Sequence, residues 1–315
     1  MTFLDKALEL IGLLDLTRSR IRPDNRLVFL CGGKVDDSSR TALSARHALL
    51  RHLKDSSTLG PARIVLAERA VQALPGSNFT NLLDLEEYIS GLVDAVIVFV
   101  ESAGSICELG AFVKTDEIRR KLVVILSNEH NNTPSFITLG ALNYFKDNSV
   151  TEPEIYPFHW GVLRKGVQVQ KYVLDQIVTD MPEAINNVRD KGNLDLKKLG
   201  HRIYLALAFC HLLRGARLSE IKTCMIAAGC PVKDDEVVKY LSVLEICNLI
   251  VTVSHGKKLK VYVPLTGALP LRFAFISGTA DHQRNILRWI HEISALVKAE
   301  DDRRIKIFQE HSSAA

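Results

Sequence analysis

No stretch of this 315-residue chain stays apolar for long: runs such as Ala95 to Val100 are far too short to cross a bilayer, so no membrane partner is expected. Nor is there a Cys-x-x-Cys, because the six cysteines stand singly at 31, 107, 210, 224, 230 and 247. A zinc ribbon and a thioredoxin-type motif are thereby excluded, and a reduced, cytoplasmic protein is the simplest expectation. His201, His211, Cys224 and Cys230 match no zinc spacing, so no metal is expected. A complete dinucleotide or Walker glycine fingerprint is also missing, and with it any indication of a bound cofactor. Charge of one sign is scarce: 40 basic against 36 acidic residues leave +4, too little to argue nucleic-acid binding from bulk electrostatics. Met1 to Arg20 carries Asp5, Glu9 and Asp15 among its apolar residues, which does not read as a signal peptide.

What is present is ample apolar material, 47% of the chain, on a length that suggests two domains. Phe3 to Leu16 has helical spacing. Then runs of two kinds alternate. Strands are predicted at Arg26 to Leu30, Arg63 to Leu66, Ala95 to Val100 and Leu122 to Leu126, and helices at Ser38 to Lys54, Leu82 to Leu92 and Ser105 to Arg119. Such alternation predicts a doubly wound, flavodoxin- or Rossmann-like α/β fold with a parallel sheet. The runs around Val96 and Val124 are apolar at every position, as central strands buried on both faces are. Leu142 to Phe145 reads as an edge strand in a loop-rich margin, and Val167 to Val188 as a helix leading to a polar turn, Asp190-Lys-Gly-Asn193.

The second half changes rhythm. Helices are predicted at Leu196 to Leu213, Leu218 to Ala228 and Asp234 to Leu244, then two β-rich runs within Ile250 to Pro264, the order of a mostly α winged-helix domain. Asp281 to Lys298 adds a helix, and Glu300 to Ala315 reads as a solvated tail. The expected division is a domain at 1–165, a connecting helix and linker at 166–194, and a winged-helix domain at 195–315. The third helix begins Lys233-Asp-Asp-Glu236, which repels phosphate. His255, Lys257, Lys258 and Lys260 gather at the wing turn, where they fit either backbone contact with nucleic acid or an ordinary solvated hairpin.

In an open parallel sheet ligands bind beyond the carboxyl ends of the strands where strand order reverses, commonly between the first and third strands. The loops expected there are Cys31-Gly32-Gly33 and Glu101-Ser-Ala-Gly-Ser105. Small residues admit a ligand to the backbone, and a helix start offers N–H groups to an anion. Glu108 is expected in the first turn of the following helix. Two readings stay open on spacing: Ser105-x-x-Glu108 is a helix-capping box, or Glu108 is a reactive carboxylate of the kind that breaks an N-glycosidic bond as nucleophile or base.

Several segments taken in order carry a resemblance. Val28-Phe-Leu-Cys-Gly-Gly33, Leu82-Leu-Asp-Leu-Glu86, Val93-Asp94, Glu101-Ser-Ala-Gly-Ser-Ile-Cys-Glu-Leu-Gly-Ala-Phe112, Arg119-Arg-Lys121 and Ser135-Phe-Ile137 resemble the nucleoside deoxyribosyltransferase-like effectors of retron anti-phage systems, over about the first half of the chain. The resemblance implies that Glu108 is the catalytic glutamate and that Ser102, Gly104 and Ser105 shape the nucleotide pocket, with Ala103 standing where those effectors have proline. Cys31, Gly32, Gly33, Glu86 and Asp94 are the further substrate-binding candidates. It also implies a C-terminal winged helix, and partners in a reverse transcriptase and its branched RNA–DNA that restrain toxicity.

The expectation is therefore a toxic N-glycosidase acting on a nucleotide, with NAD a plausible substrate rather than a cofactor. The alternatives are base exchange between nucleosides, or a non-catalytic nucleotide-sensing regulator that binds DNA. Phe3 to Leu16 and Asp281 to Lys298, helices outside both cores, are candidate surfaces for an oligomer or larger assembly.

Overall fold

The computed structural model describes residues 1–24, 26–55, 63–127, 134–148, 155–158, 161–163, 166–186, 192–255, 259–265 and 267–312. The chain divides into two compact units. One comprises Met1–Asp24, Gln72–Leu92 and Asp190–Ala315, the other Asn25–Val71 and Val93–Arg189. The first 24 residues and 72–92, expected in the amino-terminal domain, thus belong with the carboxy-terminal unit.

The chain opens with α1 (Phe3–Leu13), capped by reciprocal Thr2–Asp5 hydrogen bonds, and β1 (Leu14–Ile21). Then come β2 (Leu27–Cys31), α2 (Ala45–Asp55), β3 (Arg63–Leu66), α3 (Ala67–Ala73) and α4 (Leu82–Leu92). After these follow β4 (Ala95–Val100), α5 (Ala103–Lys114), α6 (Asp116–Arg119) and β5 (Leu122–Ser127). Among the described residues, these strands and β6 (Ile155–Phe158) form a five-stranded parallel sheet of order β3-β2-β4-β5-β6. The order reverses between β2 and β4.

Strand periodicity sorts the side chains of this sheet. Val28, Leu30, Ile97 and Ile125 point to a face covered by Leu49 of α2 and by Val173 and Ile177 of α8 (Lys171–Asn186). Phe29 points the other way and meets Phe112 of α5 edge-on, ring centroids 6.5 Å apart. Every residue of β2, β4 and β5 is buried, which is why those strands read as unbroken apolar runs. The expected edge strand at Leu142 to Phe145 is instead the end of a π-helical segment, Phe136–Leu142, and the start of α7 (Asn143–Asn148). The short strands β7 (Gly161–Leu163) and β8 (Gly166–Gln168) pair antiparallel ahead of α8.

In the other unit, α9 (Leu199–Leu212), α10 (Leu218–Ala227) and α11 (Asp234–Ile246) are followed by an antiparallel hairpin of β9 (Ile250–His255) and β10 (Leu259–Pro264). An isolated bridge joins Ala216 to Tyr262. α9 is buried on nearly all sides and is the centre of the unit. Its start lies so close to α4 that a Cβ on Gly200 would fall 2.0 Å from the Gly91 carbonyl oxygen, an approach that only glycine permits.

The helix predicted over Phe3 to Leu16 stops at Leu13 because the backbone turns extended there, and β1 pairs antiparallel with β11 (Leu271–Phe275) from the far end of the sequence. The solvated tail is corrected as well. After α12 (Ile286–Glu300), Asp302–Ser312 forms α13, and Arg304, Ile305 and Ile307 on it are buried. Arg304 donates to both oxygens of the Glu220 carboxylate, at 3.0 and 2.8 Å, with almost no exposure of either side chain. Removing one partner strands the other charge in the interior. Arg304→Ala should therefore lower unfolding free energy by about 3–5 kcal/mol, measured by urea titration, while Arg304→Met, which fills the space, costs less.

Candidate active site

The segment after β4 is organised by its hydroxyls. Ser102 is the N-cap of α5; its Oγ accepts from the Ser105 N–H at 3.1 Å, and the Ser105 Oγ accepts in return from the Ser102 N–H at 3.0 Å. The capping box is thus Ser102 with Ser105, one turn earlier than the Ser105–Glu108 pair that spacing suggested. Glu108 lies in the second turn and takes no part in it.

Glu101, at the carboxyl end of β4, is committed to the backbone. Its Oε1 accepts from Gly33 N–H (2.9 Å) and Arg46 N–H (3.1 Å), and its Oε2 from Ala45 N–H (2.6 Å). Ala45 and Arg46 are the first residues of α2, whose next free amide, on His47, donates to Ser44 Oγ at 3.0 Å. A carboxylate and a serine thus satisfy the orphan donors of that helix start, so α2 begins at Ala45 and not at Ser38.

This tight union leaves no space for side chains at the glycine pair. A Cβ on Gly32 would come within 2.9 Å of the Phe99 Cβ, and one on Gly33 within 2.7 Å of the Ser44 Cβ. Gly32 also has φ 155°. Both glycines are thus required by the protein's own close packing at the end of β2. Gly104 differs: a Cβ there would meet only Ser102 Oγ at 3.8 Å, and both Gly104 and Ala103 are exposed at the start of α5.

Behind the glycines sits Arg46, fully buried. Its guanidinium donates to the carbonyl oxygens of Leu30 (3.0 Å) and Gly33 and pairs with Glu68, the second residue of α3. The Cys31 thiol, between those two carbonyls in sequence, donates to the Glu108 carboxylate. Glu108 Oε2 is buried without a hydrogen-bond partner, as are Arg46 Nε and Glu68 Oε2. Burial pushes the Glu108 carboxyl above its ordinary value; the Arg46 cation and the Cys31 hydrogen bond pull it back, and the Glu68 anion pushes it up. A carboxyl held in this way takes and releases a proton nearer neutrality than a surface glutamate does.

The structure thus brings together Cys31, Gly32, Gly33, Ser102, Ser105 and Glu108, at the two strand ends where the sheet order reverses. It does not bring in Asp94, which lies at the amino end of β4, where its carboxylate accepts from the Leu27 N–H at 2.8 Å and pins two strands. Glu86 is buried on α4, in the unit that does not hold Glu108. Lys257 and Lys258 lie outside the described residues; Lys260 is exposed near the start of β10. Arg46, Glu68 and Glu101 were not among the sequence candidates. The available signal was their position, each at the start of a helix or just after a strand facing the reversal.

Among the described residues no three His, Cys, Asp or Glu side chains gather as a metal site. Burial pushes His211 down to about 4, so it sits in the core as a neutral ring. No described helix is long and apolar enough to cross a membrane.

Two predictions follow from the carboxylates. Glu101→Gln sets an amide NH₂ against a backbone donor and should cost about 1–3 kcal/mol in chemical denaturation. A carboxyl whose folded value is raised binds its proton more tightly folded than unfolded. Glu108 therefore destabilises the fold increasingly as pH rises through the ordinary carboxylate value of 4.5, levelling off above its raised folded value. The melting temperature of Glu108→Gln minus that of wild type should become more positive between about pH 4 and about pH 8. A difference that stays constant across that range would show Glu108 to be solvated.

Comparison with known proteins gives a consistent picture. Residues 42–252, more than half of the chain, match the family described as STM3845 retron effector protein. The chain is 35% identical over 120 residues to the Escherichia coli protein named "Retron Ec86 putative ribosyltransferase/DNA-binding protein", covering 38% of this chain and 37% of that one. It is 32% identical over 127 residues to the Escherichia coli "Retron Ec73 putative ribosyltransferase/DNA-binding protein", covering 39% of each. The matched stretch thus spans well under half the length of either relative. With its family match running from residue 42 through Arg46 and Glu108 into the helical unit, this chain belongs to the STM3845 retron effector family.

Proposed function

We propose that this retron effector breaks the N-glycosidic bond of a nucleotide, with the Glu108 carboxylate as nucleophile or general base. The observation that carries the reading is the buried, unpartnered Glu108 Oε2 beside Arg46, at the point where the sheet order reverses. The names of the two Escherichia coli relatives, which call them ribosyltransferases, point to the same bond. Its unit is read as a doubly wound, nucleoside deoxyribosyltransferase-like domain.

Cleavage requires the bond between the anomeric carbon and the base nitrogen to break as positive charge develops on the sugar. An ionised Glu108 either takes a proton from the water whose oxygen bonds to that carbon, or bonds to the carbon itself until water displaces it. The sugar keeps the hydroxyl, and the base leaves with the bonding electron pair, nicotinamide directly as a neutral molecule and a purine or pyrimidine on taking up a proton. Ser102 and Ser105 hold the start of α5 in place, and exposed Gly104 leaves room there for the substrate's sugar or phosphate. NAD is the substrate we favour.

In the other unit, α9 to α11 with the β9–β10 hairpin and the Ala216–Tyr262 bridge are read as a winged helix, Lys260 standing near its wing. With family membership, this supports a defence role in which the reverse transcriptase and its branched RNA–DNA hold the effector in check inside the cytoplasm. Transfer to an acceptor base is the second reading, favoured by the word ribosyltransferase in the relatives' names.

The test is incubation of purified protein with NAD and with common nucleotides, followed by chromatography of released bases. Glu108→Gln should lower release by at least about 10²-fold. Equal release by both proteins would remove Glu108 from the chemistry, and a new nucleoside formed on adding a free base would favour transfer over hydrolysis. Because the reacting carboxylate must be ionised, activity should fall on the acid side, with its midpoint above the ordinary carboxylate range.

A further inference from the structure

Among the described residues, Arg46 and Arg304 are the largest fully buried side chains, and an interior arginine is costly unless every charge and donor is met. Stability alone does not call for it, because an apolar side chain of similar volume serves a core as well as a buried ion pair does. Its surroundings are specific. The guanidinium grips the carbonyls of Leu30 and Gly33 on either side of Cys31-Gly32, Glu68 holds it from α3, and the Arg46 amide is itself fixed by Glu101. Cys31, in the middle of the gripped segment, donates to Glu108.

We propose that Arg46, held by Glu68, is the positioning residue for the Glu108 carboxylate: it fixes the β2 end to which Glu108 is hydrogen-bonded and sets the charge that Glu108 faces. The proposal rests on Glu108 being the reacting carboxylate. The charged and titratable groups facing Glu108 are Arg46 from α2, Glu68 from α3 and Cys31 from the end of β2. Arg46 and Glu68 act on it with opposite sign, since the cation favours the ionised form and the anion opposes it. An arginine placed only to hold a loop would leave the titration of Glu108 untouched when its own charge is removed.

The test uses the full chain carrying carboxyl-labelled glutamate, with the Glu108 carbon resonance identified by its loss in Glu108→Gln and followed against pH. Glu68→Gln should move the Glu108 midpoint down and Arg46→Met should move it up, each by about one pH unit. Arg46→Lys keeps the charge but not the planar fork on two carbonyls, so its midpoint should stay near wild type. Its kcat for base release from NAD should drop at least about 10-fold, with KM changed less than about threefold, as expected when an interaction made in the transition state is lost. If Arg46→Met fails to fold, Glu68→Gln and Arg46→Lys carry the test. A Glu108 midpoint in Glu68→Gln equal to wild type, or an Arg46→Lys enzyme with wild-type kcat, overturns the proposal. Either result with base release still abolished by Glu108→Gln leaves the catalytic reading standing; base release unaffected by Glu108→Gln removes the reading itself.

Discussion

The Glu101 carboxylate receives three backbone N–H groups, from Gly33, Ala45 and Arg46, and the rest of the site depends on that arrangement. One ionised group at the end of β4 terminates the loop after β2 and starts α2 at the same time. An anion at a helix amino end is favoured by the exposed amides and by the helix dipole together, so the contact stabilises both partners. Where α2 begins decides where Arg46 points. Moving that helix by one residue would rotate the guanidinium through about 100° and release the carbonyls of Leu30 and Gly33.

The stretch from Glu101 to Gly110 therefore divides its work among residues that look alike on paper. Glu101 is a structural acceptor, Ser102 and Ser105 cap the helix, and Glu108, one turn further on, keeps one buried oxygen, Oε2, without a hydrogen-bond partner. A glutamate used for capping would have its charge consumed by amides. Because the serines satisfy the helix start, Glu108 retains its charge in a place where burial and Arg46 compete over its proton.

Much of the sheet was legible in the sequence, for a physical reason. β4 and β5 are buried on both faces, so nearly every position is apolar, and that pattern is visible in a single chain. β1 and β11 were not legible. Leu14 and Leu16 continue the helical spacing of α1, and the strand exists only because Leu271–Phe275 pairs with it from about 250 residues away. α13 was missed because its charged residues look solvated until Glu220 is seen to receive Arg304. In the site, spacing left Glu108 open between a cap and a reactive carboxylate, and the family resemblance singled it out. Arg46 and Glu68 lie on other elements, and nothing in their local sequence marks them as meeting.

By itself the sequence determined the alternation of strands and helices, the buried central strands, the order of three helices and a hairpin in the second half, and the segment bearing the candidate carboxylate. All of these are encoded by neighbours within a turn or a strand, through side-chain periodicity and local capping. Only the tertiary structure decided which glutamate binds the backbone and which keeps an unpartnered buried oxygen, that the two glycines pack closely against the protein, and that the first helix and strand belong with the last. Those outcomes turn on contacts between residues far apart in the chain, and local pattern carries no record of them.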